Sequence, residues 1–534
     1  LLAWHRNFCS VVKIRFLGIV LYIREYLAVT GFIVIVSDSS INRRQFIATA
    51  AGASAAAAVL PRQVLGGAGF VAPSDRLNAA LVGSGTQALR QLMTDWLPRE
   101  DLQIVAICDP NKDSDDYRDW SPHGLRNAVR RFINNPNWGS KTGIRAGREA
   151  GRELVEAYYA ARQGQGSYEG CKTYVDYRDM LTESESVDVV IDMTPEHLHG
   201  VVNVHAMQAG KHVVAHKTLA NACHEVHKCV EVAQSTGVTT HLMAWNNDPA
   251  FYQLKEWLHS GIIGKVKEVH NWTNRPIWPQ GWMENPSESM LIPDGLEWDQ
   301  WLGCVPDRPY HLDYTHALFR GWYDFGSGCL GDMGNYSLWR TYRMLDPGPV
   351  VSVSATPATG SVIVGNQCQW RRSSVGFPAA STVHFEHRDM DIFWYDGGMK
   401  PRIAKGLLAQ GEQLPREGIL YVGEYGTILG NFLAQVFRLL PASRMSALVG
   451  SMPAARPGEE VIGGTDEYVG AMKEGKQSRG SFINVKDLAE ATCLAAVALR
   501  TGKYLEWDAE GMQFTNDEEA NAYLTREYRP GWEL

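Results

Sequence analysis

Gly83, Gly85 and Ala88 hold the first, third and sixth places of Gly83-Ser84-Gly85-Thr86-Gln87-Ala88, between an apolar run (76–82) and a stretch of helical periodicity (89–96). Such a loop suits a phosphate. The first glycine permits a tight turn, the second lets the anion approach the backbone, and the small sixth residue lets helix and strand pack closely. The free N–H groups at the helix start then face the negative charge. A second apolar run (103–108) ends in Asp109, 24 residues after Gly85, near the spacing at which a carboxylate meets the ribose hydroxyls of a dinucleotide. An acid there repels a 2′-phosphate, so it favours NAD and leaves NADP open. A third run (187–193) stops at Thr194-Pro195, where strand ends line the crevice of a parallel sheet. Three such runs predict a Rossmann dinucleotide domain.

Eight of the sixteen histidines fall between His197 and His241. His197-x-His199, with His216 or His241, has the ligand types for a metal, but no helical His-x-x-x-His pair supports one, and none is expected. His205, His224 and His227 read as ordinary helix positions.

The chain that must position these groups has 534 residues, 45% of them apolar, which suggests two domains with a sizeable core. A net charge of −8 gives no footprint for nucleic acid. Nine cysteines without a C-x-x-C pair make neither a disulfide framework nor a zinc knuckle. Seventeen tryptophans fit core filling, and also the aromatic faces on which sugars stack.

Ser40-Ile41-Asn42-Arg43-Arg44-Gln45-Phe46 precedes an alanine-rich apolar stretch, the pattern of a twin-arginine signal over 40–73. That route exports folded proteins, so the expectation is a periplasmic protein that captures its cofactor before export. Residues 1–39 read as a doubtful upstream extension: no methionine precedes Met93, and a start near Val34 or Val36 fits better. Arg24 and Glu25 interrupt its apolar runs, and no membrane span is expected in the mature protein.

Thr194-Pro195-Glu196-His197-Leu198-His199, then Ala209-Gly210-Lys211-His212-Val213-Val214-Ala215-His216-Lys217-Thr218, resembles the "TP-x-x-x-H … AGKHV-x-x-EKP" signature of the Gfo/Idh/MocA family (glucose–fructose oxidoreductase and inositol dehydrogenase). Ser260-Gly261-Ile262-Ile263-Gly264-Lys265-Val266, Thr273 to Gly281, Arg320-Gly321-Trp322-Tyr323-Asp324, Gly331-Asp332-Met333-Gly334 and Glu527 to Trp532 are similar to further motifs of an exported branch, in order, from Arg76 to the C-terminus.

The resemblance implies an α/β fold. An N-terminal Rossmann domain (74–250, with a helical insertion at about 111–166) would precede a C-terminal α+β substrate and oligomerisation domain (251–534), whose large open sheet is mainly antiparallel. Short β-branched and aromatic runs such as 350–355 and 382–385 agree with that. The family also implies a homo-oligomer and an NAD(P)-dependent oxidoreductase moving hydride between a sugar, polyol or glycoside hydroxyl and tightly held NAD. The alternatives are a redox-neutral glycoside hydrolase or lyase, and a non-catalytic sugar-binding relative.

By the same resemblance, Lys217 sits by the nicotinamide and the reacting hydroxyl, and Asp332 binds substrate. The sequence departs from the family where the glutamate before the lysine is His216, and where the histidine four residues after the aspartate is Tyr336. Tyr336 is then expected as acid/base, its pKa lowered by Lys217. The expected cofactor site comprises Gly83, Ser84, Gly85, Thr86, Gln87, Ala88, Asp109, Thr194, Pro195, His199, His216 and Lys217. Asn246, Asn247, Arg275 and Trp278 join Lys217 and Asp332 as expected substrate ligands.

Overall fold

The structure, a computed structural model, describes residues 75–121, 123–139, 143–244, 248–448, 453–454 and 464–534, with the backbone of two strands nearer the start. Those strands, Val12–Phe16 and Ile19–Ile23, pair antiparallel within a separate unit, residues 1–61. The segment expected to be a twin-arginine signal, 40–73, lies outside the described residues. Among the described residues, no helix is long and apolar enough to cross a membrane.

The second unit is built on two sheets. The first has strands β1 (Leu77–Val82), β2 (Leu102–Cys108), β3 (Lys172–Tyr174), β4 (Val189–Asp192), β5 (His212–Ala215) and β6 (Thr240–Leu242), in the order β3-β2-β1-β4-β5-β6. Every pair is parallel. Strands covered on both faces read as continuous apolar runs, which is why Ala79 to Val82 and Val189 to Ile191 are all buried. This is the doubly wound Rossmann order, whose direction reverses beside β1 and leaves a crevice at the strands' carboxyl ends.

Gly83 turns the chain from β1 toward α1 (Thr86–Gln91), which runs on through a π turn to Trp96. Its φ is +88°, and a Cβ there would stand 2.6 Å from the Met193 carbonyl carbon, so only glycine fits. The insertion between β2 and β3 holds α2 (Gly124–Phe132) and α3 (Arg148–Gln163). It is not wholly helical. Ser114–Tyr117 pairs antiparallel with Ile144–Ala146, whose Ile144 and Ala146 are buried in the core. Helices α4 (Glu196–Gln208) and α5 (Cys223–Thr236) complete the crossovers.

The second sheet has nine strands: β7 (Val266–Trp272), β8 (Ser352–Pro357), β9 (Ser381–Glu386), β10 (Asp391–Tyr395), β11 (Gly418–Gly423), β12 (Thr427–Gly430), β13 (Phe437–Leu440), β14 (Tyr504–Asp508) and β15 (Gln513–Phe514). Their order is β13-β12-β11-β7-β10-β9-β8-β14-β15, antiparallel throughout except for β7 with β10. Helix α6 (Asn335–Leu345) follows a π turn at Leu330–Gly334.

The boundary expected at 250 is not clean. Helix α7 (Thr465–Glu474) returns to the first sheet, placing Tyr468, Val469 and Met472 in its core, and Trp96 Nε1 donates to Tyr468 Oη at 2.9 Å. Helix α8 (Lys486–Thr501) packs against both β8 and α5. A helix apolar on every side must be buried on every side, and its residues from Leu488 to Ala495 all are.

Candidate functional site

The crevice is a cavity of about 360 Å³ between the carboxyl ends of the parallel strands and the chain that follows β7. Gly83, Gly85, Thr86, Gln87 and Ala88 line it from the end of β1, and Asp109 from the end of β2. Thr194 and Pro195 enter after β4, His216 and Lys217 after β5. The second sheet's half supplies Arg275, Trp278, Arg320, Asp332 and Tyr336.

Lys217 is 3% exposed, and its Nζ donates to Asp332 Oδ1. Arg320 Nε donates to the same oxygen at 3.2 Å and lies 3.9 Å from Glu196 Oε1. Burial alone would push the Asp332 carboxyl up; Lys217 and Arg320 outweigh it and hold it below the usual range. Burial likewise opposes the Lys217 ammonium, and Asp332 overcomes that, so the pair is ionised. Glu196, also buried, accepts from Ser327 N–H at 2.6 Å and from Ser327 Oγ at 2.9 Å; burial raises its pKa.

Tyr336 Oη lies 3.3 Å from His216 Nε2, and the Lys217 ammonium is 5.1 Å from the Tyr336 ring centre. Here the expectation of a lowered tyrosine pKa fails. Burial raises it, and the opposing field of Lys217 is smaller because Asp332 already answers that charge. Burial, then Lys217, drives His216 far down, so its imidazole is neutral, and the tautomer with the proton on Nδ1 lets Nε2 accept from the phenol.

Two expected cofactor residues stand behind the wall. Ser84 is fully buried, its Oγ facing Gly151 of α3, where an added Cβ would come within 2.4 Å. The His199 ring is turned to backbone instead, with Nε2 2.9 Å from the Thr194 carbonyl oxygen and Nδ1 at that of Thr218. It ties two cleft loops together from beneath. Asp109 lines the cleft, but its carboxylate also accepts from Ser84 N–H at 2.6 Å and Asn111 N–H at 2.8 Å, so it shapes the glycine loop as well. Arg275 is paired with Glu417, and Trp278 Nε1 donates to Gln280 at 3.0 Å. Asn246 and Asn247 lie outside the described residues.

Sequence reasoning missed Arg320, Glu196, Tyr117, Trp120 and His316. Arg320 and Glu196 lie within motifs already noted, but nothing in their spacing shows that they converge on Asp332. Trp120 is 6.2 Å from Trp278 and 5.7 Å from the Arg320 guanidinium. It comes from the insertion, whose course over the cleft only folding reveals.

The suspected metal histidines are dispersed. His197 Nε2 meets the Trp301 carbonyl oxygen at 2.9 Å, and His241 Nδ1 meets Ser478 Oγ at 2.9 Å. Among the described residues Cys223, His227 and Glu490 do cluster, but Glu490 is already bonded to His227 Nε2 at 2.6 Å and Trp507 Nε1 at 2.9 Å. That is a satisfied buried network.

The loop fits a dinucleotide. A Cβ at Gly85 would meet nothing closer than Tyr117, at 3.5 Å, so the missing side chain leaves the backbone open to an incoming phosphate.

Residues 146–243 match the NAD-binding Rossmann fold of the Gfo/Idh/MocA oxidoreductase family, and residues 250–391 match that family's C-terminal alpha/beta domain. Over these two stretches the chain is similar to that family. Levoglucosan dehydrogenase of Pseudarthrobacter phenanthrenivorans is 27% identical over 114 residues, 20% of this chain and 29% of the relative. Inositol 2-dehydrogenase of Salmonella typhimurium is 32% identical over 101 residues, 18% of this chain and 30% of the relative. The matches thus span under a third of these curated relatives' length. Among solved structures, the WlbA dehydrogenase from Bordetella pertussis in complex with NADH and UDP-GlcNAcA is 16% identical, with a TM-score of 0.47 over 81% of this chain and 98% of that one. Levoglucosan dehydrogenase in complex with NADH and L-sorbose is 15% identical, with a TM-score of 0.44 over 81% of this chain and 99% of that one.

Proposed function

We propose that this protein oxidises a hydroxyl-bearing carbon of a sugar, polyol or glycoside and passes the hydride to NAD held over the Gly83–Ala88 loop. One arrangement carries the reading: the ionised Lys217–Asp332 pair and Tyr336 line the same cleft as that loop. The curated relatives named for levoglucosan and inositol dehydrogenation support the substrate class.

When bound, the nicotinamide supplies the hydride acceptor. The chain's own groups handle the oxygen. Lys217, oriented by Asp332, donates a hydrogen bond to the reacting hydroxyl and stabilises the negative charge that grows on it. Tyr336, a neutral phenol, takes the substrate proton as its own passes to His216 Nε2, 3.3 Å away. In the reverse direction the same phenol protonates the oxygen. Asp332, itself held by Arg320, fixes the ammonium in place, and Trp120 and Trp278 offer apolar faces to a sugar ring.

We read residues 40–73 as a twin-arginine signal that sends the folded protein to the periplasm with its cofactor aboard. Replacing Arg43 and Arg44 by lysine should then trap it inside the cell.

The functional test has two steps. The purified full-length protein is denatured and assayed by mass spectrometry for released NAD(H) and NADP(H). The intact protein is then given NAD with levoglucosan or myo-inositol, and NADH is followed. Bound nucleotide with turnover supports the reading. A protein that neither carries nor binds either nucleotide refutes it.

A further inference from the structure

The insertion after Asp109 does more than decorate the sheet's edge. Its strand Ser114–Tyr117 carries the Tyr117 ring to the glycine loop, 3.5 Å from where a Gly85 Cβ would stand. The Tyr117 hydroxyl accepts from Asn111 Nδ2 at 3.2 Å, and Asn111 N–H donates to Asp109 at 2.8 Å, so the ring is braced against the carboxylate at the end of β2. From the other side of the cleft comes His316. Its ring centre is 3.9 Å from that of Tyr117, and its Nε2 is 3.2 Å from Asp116 Oδ1.

His316 and Ala317 reach this position with φ of +48° and +82°, a left-handed conformation that costs a non-glycine residue on the order of 1–3 kcal/mol. Such strain persists only where the surrounding contacts hold it. Tyr117, His316 and Ala317 all line the cleft beside Gly85, Thr86 and Asp109. The chain therefore bridges the cleft where the phosphates of a dinucleotide would lie.

We propose that Asp116, Tyr117 and His316 form a clasp that retains the dinucleotide, so that the cofactor leaves only when the Tyr117–His316 contact opens. The proposal rests on the reading of the cleft as a dinucleotide site. These are positioning residues: they act on the residence of the cofactor and take no part in hydride or proton transfer. The two contacts contribute unequally. The Asp116 side chain is 60% exposed, so its contact with His316 is worth little. The ring contact, lying against the loop itself, carries most of the hold.

The experiment is an NADH dissociation measurement on the full-length protein. The protein is loaded with NADH and mixed rapidly with excess NAD, and the loss of bound-NADH fluorescence is timed. The variants are Tyr117→Ala, His316→Ala, His316→Phe and Asp116→Asn, with thermal midpoints taken alongside. Tyr117→Ala and His316→Ala should release NADH about tenfold faster or more, the association rate changing less. His316→Phe, which keeps a ring, should lie nearer the wild type, as should Asp116→Asn. Equal dissociation rates in wild type and all variants would overturn the clasp while leaving the dinucleotide site intact, whatever the midpoints do. A wild-type protein that binds neither NADH nor NADPH would sink both the clasp and the functional reading beneath it.

Discussion

The Tyr336 hydroxyl lies 3.3 Å from His216 Nε2, and the two residues stand on different halves of the molecule, His216 after β5 and Tyr336 on α6. The contact joins two of the positions, with Thr218 a third, at which this sequence departs from the Gfo/Idh/MocA signature it resembles. A neutral phenol cannot take a proton unless it can also give one up, and His216 is the acceptor in reach.

If that relay operates, Tyr336→Phe should lower kcat by about 100-fold or more. His216→Gln, which keeps a hydrogen-bond acceptor but cannot hold a proton, should fall comparably. The double variant should be little worse than either single one, because residues acting as a unit are not additive. Steady-state kinetics of the three proteins decide it; additive losses would mean that the two side chains act separately.

The Lys217–Asp332 pair is buried and Arg320 also bonds Asp332, so it is removal of Asp332 that strands the Lys217 ammonium. Asp332→Leu alone should cost about 3–5 kcal/mol, whereas Asp332→Leu with Lys217→Met should recover part of that stability. Neither protein should turn over substrate. Urea unfolding midpoints at constant m-value provide the check, and an unchanged midpoint for the single variant would contradict an ionised pair.

Gly83→Ala meets the Met193 carbonyl carbon at 2.6 Å in a backbone with φ of +88°. The substitution should abolish NADH binding through displacement of the loop and lower stability by about 2 kcal/mol or more. Fluorescence titration with NADH reads the first effect. Retained affinity would mean that the turn is softer than its contacts indicate.

His197 and His241 are buried and uncharged, held at about 3 by loss of solvent. Their unfolded pKa is near 6.5, so between pH 6.5 and 3 the unfolded chain binds protons that the folded chain does not. Stability is therefore greatest above 6.5 and falls as the pH drops, by about 1.4 kcal/mol per unit for each histidine. For these two residues the loss by pH 5 is about 4 kcal/mol. Denaturant unfolding at pH 7 and pH 5 measures it; no difference would mean that the rings are protonated in the folded state.

Local pattern carries far in this chain. The glycine loop and the apolar runs ending at Asp109 and Thr194 mark three parallel strands and the crevice at their ends, because a strand buried on both faces needs continuous apolar residues and a phosphate loop needs glycine. The motif around Lys217 and that around Asp332, 115 residues apart in the chain, both reach the crevice.

What the pattern leaves open is everything set by long-range contact. The Tyr336 pKa depends on burial and on a charge already answered by Asp332, and no spacing encodes either. Ser84 and His199 look like cleft residues from their place in the motifs, yet α3 packs against one and two carbonyl groups hold the other. The return of α7 to the first sheet and the meeting of Tyr117 with His316 join segments that are distant in sequence. By itself the sequence determined the parallel strands and the glycine loop, because strand periodicity and turn geometry are properties of neighbouring residues, while the mainly antiparallel second sheet was implied by the resemblance. Only the tertiary structure decided which side chains face the cleft and which protons they hold, because solvent exclusion and Coulomb fields depend on distance in space.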